Sequence, residues 1–357
     1  MSHKLSDWHL PPPAGNVDNL SFAAESMEIL NTLKDWFKPA PPPDPEIQKA
    51  LGRVCALVDP MLNTLPALDQ TLQPVLAHTL NYCQHIVDNL PGPFEIDRQA
   101  FSVSPLVHAL FATVEDIALM LAKSQEACKC LLTDSEPGVE FVYAMLAARW
   151  QRKKGLGMAL DGEMLQADAL IETLIFADHV LVQPADSLEA TREKLCQTAF
   201  DSLLKTFRVR LIEKRNERAL LQEEKARERD QINVMRSMGK ADKLEEHTRR
   251  LQDVETRLRE NIEALRPENI IAPLTEFLAA PEKALRLEAM RITVDRSGIV
   301  AGDDQAGSPG QAETLDFQEI IGRDRRRYVG MLVKIRRSDV LEAAQIMKDV
   351  QQRYLII

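Results

Sequence analysis

The chain has 357 residues and a formal net charge of −10, with 44 Lys and Arg against 54 Asp and Glu. So acidic a chain is not a general nucleic-acid coat, though a single basic surface is compatible with it. A 45% hydrophobic and 27% charged composition excludes a disordered chain, and no apolar run is long enough to cross a membrane as a helix.

Aromatic residues are scarce, and Ala, Leu, Glu and Gln are abundant. These residues lose little rotamer freedom in a helix, so the expected fold class is mainly α. The length favours two or three domains. No apolar run follows His3 and Lys4, so the expected address is cytoplasmic. Five cysteines in no framework spacing read as reduced thiols.

Residues 1–46 read as a proline-rich tail. Pro11-Pro12-Pro13 and the prolines from Pro39 to Pro45 cannot sit inside a helix. Between them, residues 21–37 carry Phe22, Met27, Ile29, Leu30, Leu33, Trp36 and Phe37, the apolar side of a short helix. Such a helix is expected to dock on the body, or to fold on a partner or membrane surface.

Residues 47–187 read as a helical bundle, with helices over 45–58, 61–90, 105–132, 138–153 and 162–182. Leu90-Pro91-Gly92-Pro93 is a firm break. Ser104-Pro105 is a helix start, with a capping hydroxyl ahead of a first-turn proline.

Residues 188–266 read as a long antiparallel, coiled-coil-like helical hairpin. No Pro or Gly interrupts the outgoing arm before Gly239. It would extend about 70 Å, against about 37 Å for the return. Leu244, Leu251, Val254, Leu258, Ile262 and Leu265 form a heptad seam on the return, with His247 or Thr248 filling the gap. Counting back from a turn at 237–240 pairs Val234 with Leu244, Leu220 with Leu258 and Asn216 with Ile262. The tip carries Met235, Arg236, Met238 and Lys240. Methionines beside cations suit an adaptable contact surface.

Residues 267–357 read as a small α+β domain with an antiparallel sheet. Strands are expected over 285–294, 315–321 and 327–336, followed by a helix from Ser338-Asp339 to about Arg353.

Candidate chemistry is sparse. His78, Cys83 and His85 on one helix, and Cys128 and Cys130 on another, lack the spacing of a zinc site and read as structural. Asp178-His179 with Glu172 could form a base with its orienter, but Glu172 and His179, two turns apart on one helix face, are too far apart for direct contact. Arg149, Arg152, Lys153 and Lys154 precede Gly155-Leu156-Gly157 and are candidate anion ligands; a basic helix end explains them too. Arg323, Arg325, Arg326, Arg327, Lys334, Arg336 and Arg337, with Tyr328, would form a basic sheet face. That face is a candidate platform for a polyanion or protein partner, or else protects a sheet edge.

The expectation is therefore a non-enzymatic interaction or adaptor protein that requires no metal or cofactor. Its contact surfaces would be the hairpin and the basic sheet, and a homodimer through the hairpin stays open. The alternatives are nucleic-acid binding by the C-terminal sheet and a ligand-binding helical bundle.

Overall fold

The computed structural model describes residues 44–134, 138–161, 164–295, 300, 312–322 and 327–354. The expected helix at 21–37, nearly all of the proline-rich tail, and Arg323, Arg325 and Arg326 lie outside them. The chain divides into two units, Met1–Gln48 and Lys49–Ile357. The second is described below.

Helices lead the fold. α1 spans Pro45–Leu57 and α2 Leu68–Asp88. A short strand β1, Phe94–Glu95, precedes four short helices: α3 (Arg98–Val103), α4 (Pro105–Leu110), α5 (Val114–Lys123) and α6 (Gln125–Lys129). Local chemistry sets their starts. The Ser104 hydroxyl caps α4, which opens on Pro105. Thr113 and Asp116 form a reciprocal capping box at α5.

The next segment corrects the expectation. Where helices are expected over 138–153 and 162–182, residues 141–161 and 164–185 form two long strands, β2 (Phe141–Asp161) and β3 (Met164–Ala185). They pair antiparallel along almost their whole length. α7 (Leu188–Ser237) and α8 (Ala241–Ala264) follow, then α9 (Pro267–Ala279), β4 (Arg286–Asp295), β5 (Ala312–Ile321), β6 (Arg327–Arg336) and α10 (Arg337–Tyr354).

The strands form one six-stranded sheet in the order β3-β2-β6-β5-β4, antiparallel between these neighbours. The tiny β1 pairs parallel with the second half of β6, placing Phe94 beside Val333. The sheet is therefore larger than expected and draws strands from both sides of α7 and α8.

Both faces of its centre are covered. On one, Val142, Ala144, Leu146, Ala148, Val329, Met331, Val333 and Ile335 pack with Leu110, Ile117, Leu121, Ala127 and Val340 of the short helices and α10. On the other, Leu332 is fully buried with Val87, Leu90 and Leu195. A strand covered on both sides carries apolar residues at nearly every position, so its period-2 signal disappears.

The outer strands curl over the first face. At three places two residues of β3 oppose one of β2, and Asp178 (φ 54°) and Gln183 (φ 53°) mark two of these bulges. Bulges bend and twist a strand. Phe176 of β3 thereby meets Phe317 of β5, ring centroids 5.2 Å apart. Val300 bridges to Val294 at the end of β4 and donates its N–H to the Glu172 carbonyl, 2.7 Å away.

A helical layer lies behind the second face. Phe207 of α7 packs on Phe277 of α9 with centroids 5.5 Å apart. The Thr79 hydroxyl of α2 donates to the Leu278 carbonyl, and Arg53 of α1 forks onto Asp201 of α7. These contacts root the proximal half of α7.

Candidate interaction surfaces

The first candidate is the arm made by the distal part of α7 and by α8. α7 ends in a Schellman motif: Gly239 adopts φ 63°, Lys240 N–H donates to Met235 O and Gly239 N–H to Arg236 O. The chain therefore reverses at Gly239 because glycine tolerates that left-handed conformation.

The seam between the two helices is thin. Leu221, Val254 and Leu258 are its apolar centre. Polar bridges continue it outward: His247 Nδ1 lies 2.7 Å from Glu228 Oε2, and Glu255 takes both Lys225 and Arg229. Hydrogen bonding from Lys225, aided by Arg229, holds the Glu255 carboxyl below its ordinary value. Nearer the base, Asn261 Nδ2 donates to Lys214 O and Glu217 Oε2.

These contacts correct the expected facing of the helices by one residue. Leu221, not Leu220, meets Leu258; Asn261, not Ile262, is buried; and His247 fills the gap in the heptad. Leu220, Val234 and Ile262 are exposed. Counting residues from the turn does not fix which side of a helix faces its neighbour, because one position is 100° of rotation. At the tip Met235 is half-buried, whereas Arg236, Met238 and Lys240 are exposed. Among the described residues, the side-chain hydrogen bonds and ion pairs of residues 216–260 stay within the arm.

The second candidate is a corner of the sheet. β2 pairs with β6 only as far as Arg149, opposite Tyr328. Beyond it β2 and β3 continue as a two-stranded ribbon, and the two basic stretches meet where it departs. The Arg327 guanidinium lies 5.7 Å from the Trp150 ring centroid. Both residues address the buried Glu319: the indole Nε1 donates over 3.0 Å, and Arg327 Nε lies at 3.5 Å. Arg152 pairs with Glu172 at 3.4 Å and Arg149 with Asp178 at 3.0 Å. Lys153 and Lys154 are exposed on the ribbon. Trp150, Gln151, Arg152 and Arg327 line a shallow depression of about 470 Å³.

Lys334, Arg336 and Arg337 do not join this corner. Arg336 lies nine residue steps along extended strand from Arg327, about 30 Å. Lys334 and Arg336 share Glu95, at 3.0 and 3.1 Å, and flank the Phe141 ring. The hydrogen bond from Lys334, with help from Arg336, holds the Glu95 carboxyl below its ordinary value. Arg337 donates to the Leu131 carbonyl. The sheet face that Tyr328 shares with Lys334 is covered at Leu332, so it is not one open platform. Only pairing between distant strands, invisible in the local sequence, sorts these cations into two groups.

The remaining candidates do not converge. Cys83 is buried, with its thiol pushed up to about 12 by burial, while His78 and His85 are exposed. No grouping of three metal-ligating side chains occurs among the described residues. Glu172 and Asp178 are taken by arginines. His179, re-aimed by the Asp178 bulge, stacks on Phe111 and places Nε2 2.7 Å from Leu110 O.

His179 supports a pH prediction. Burial lowers its pKa from 6.5; the Leu110 carbonyl, Asp116 and Asp178 oppose that shift without reversing it. The folded state therefore resists protonation more than the unfolded state does. His179 contributes stability above about pH 6.5, lost as pH falls toward its lower folded value. His179→Gln keeps a donor for Leu110 O and removes the titration. Urea midpoints measured from pH 7.5 to 5 should fall for the parent and stay flatter for the variant. Parallel curves would contradict this account.

Comparison with protein-family models, with curated proteins and with solved structures found no match to this chain.

Proposed function

We propose that the chain is an interaction protein whose α7–α8 arm docks on a partner protein. The observation that carries this reading is the arm's economy of burial. Beyond Leu211 only Leu221 and Ile232 of α7 are buried, and only Val254, Leu258 and Asn261 of α8. Around that narrow seam, Leu220, Val234, Met238 and Ile262 face solvent. Exposed apolar side chains at helical spacing among charges are what a helix-reading partner engages.

A second reading has its own support: polyanion binding at the Trp150–Arg327 corner. There the Trp150 ring lies beside the cations Arg152 and Arg327 in an acidic chain. Bases stack on indole, and cations track phosphates.

One experiment separates the two. The full chain is used as bait in affinity capture, with and without nuclease, beside Val234→Glu/Met238→Glu at the arm tip. The arm reading expects a captured protein that survives nuclease and is lost with the double variant. Capture that nuclease abolishes and the tip variant retains would transfer the function to the corner. No capture above an empty-bait control would overturn both.

A further inference from the structure

β2 presents a row of side chains where it leaves the sheet. Trp150, Arg152 and Lys154 stand opposite Phe176, Leu174 and Glu172 of β3, so the three share one face of the ribbon. Each step between them is two residues, about 7 Å. The β2–β6 pairing ends at Arg149 and Tyr328, and Arg327, the next residue of β6, joins that face over the indole. Arg152, Lys154 and Arg327 are exposed. Their carboxylate partners hold two of them loosely, Glu172 at 3.4 Å from Arg152 and Glu319 at 3.5 Å from Arg327, longer than a close charge-assisted hydrogen bond. Glu319 is only 4% exposed, so the side of the row that meets water is cationic. The Trp150 Nε1 bond to Glu319 fixes the indole, which lines the shallow depression with Arg152 and Arg327. Lys153, on the same strand and also exposed, lies on the opposite face, facing Thr173.

We propose that this row is a single-stranded nucleic-acid site, in which one base stacks in the depression at Trp150 and Arg327 and the following phosphates run along β2 on Arg152 and Lys154. The proposal rests on the polyanion reading above and gives it a ligand and a direction. Charge and shape select a single strand. The cations form one row on one strand, enough to neutralise one phosphate backbone and not the two of a duplex. A duplex encloses its base faces, whereas an indole beside phosphate-binding cations serves a base whose face is uncovered. Beyond Arg149 no described strand pairs with the β6-facing edge of β2, so a ligand backbone lies alongside the row without displacing a strand.

Fluorescence anisotropy of the full chain with a short labelled oligothymidylate, and with a blunt duplex, tests this at low salt. The single strand should bind about tenfold or more tighter than the duplex. Arg152→Gln and Lys154→Gln should each weaken binding and each lower the slope of log affinity against log salt by about 0.7. Lys153→Gln, on the opposite face, should change neither. Because all three residues are exposed, the variants should keep the parental melting temperature. Intrinsic fluorescence should fall when the oligothymidylate binds the parent and stay level in Trp150→Phe, where Trp8 and Trp36 supply the background. Duplex bound as tightly as the strand, equal losses at Lys153 and Arg152, or quenching that survives in Trp150→Phe would overturn the single-strand site and leave polyanion binding standing. No binding of either probe would overturn both.

Discussion

Gly92→Ala is expected to destabilise the protein by about 3 kcal/mol or more. Gly92 has φ 111°, a conformation that side-chain-bearing residues rarely adopt. A Cβ there would lie 2.2 Å from the carbonyl oxygen of Leu332. That oxygen is backbone, so no side chain can swing away. The segment cannot retreat cheaply either, because Pro91 O accepts the Leu332 N–H at 2.8 Å and β1 is paired to β6 just beyond. Accommodating a methyl group means breaking that bond or displacing β6, the strand that joins β2 to β5. Gly52→Ala is the control. Nothing lies within 4 Å of a Cβ there, and alanine in a helix interior gains about 0.5–1 kcal/mol over glycine. Thermal and urea unfolding of both variants beside the parent tests the argument. A Gly92→Ala protein as stable as the parent would mean that the Pro91–Gly92 passage against β6 is wrongly drawn.

Phe207→Ala is the second large effect, a loss of about 3–5 kcal/mol. The ring is 2% exposed and packs on Phe277. Removing it opens a cavity where α7 is rooted in the body. Leu221→Ala is the informative partner. Leu221 is equally buried, but its neighbours are the arm residues Val254 and Leu258. Its loss should loosen the arm locally rather than lower the global transition. Hydrogen exchange should show faster exchange confined to residues 213–262 in Leu221→Ala, whereas Phe207→Ala lowers the melting temperature of the whole unit. Equal shifts in the global transition would show arm and body unfolding as one, and would weaken the case for an arm that stands on its own thin seam.

Much of the chain was legible where one local signal was enough. Gly239 set the reversal through a positive φ. Ser104-Pro105 set the start of α4. The alternation from Arg327 to Arg336 marked β6 at its observed bounds. Misreadings came where two elements share the information. β2 and β3 read as helices because Ala, Met, Leu and Arg are good helix formers and the sheet-paired half of β2, residues 141–148, is apolar on both faces. Asp161-Gly162 between two β-rich runs was an available hairpin signal.

By itself, then, the sequence determined the long charged helix, its reversal, the last three strands and the pool of cations. Those follow from backbone preference and periodicity, which act over a few residues. Tertiary structure alone decided which cations stand together, which face of α7 stays wet, and that residues 141–185 are strands. Each depends on a partner far along the chain: Arg327 reaches Trp150 only because β6 pairs with β2, and Leu220 is exposed only because Leu221 is the residue that turns toward α8. Burial against a distant neighbour outweighs local propensity, and that neighbour cannot be read from the residues beside it.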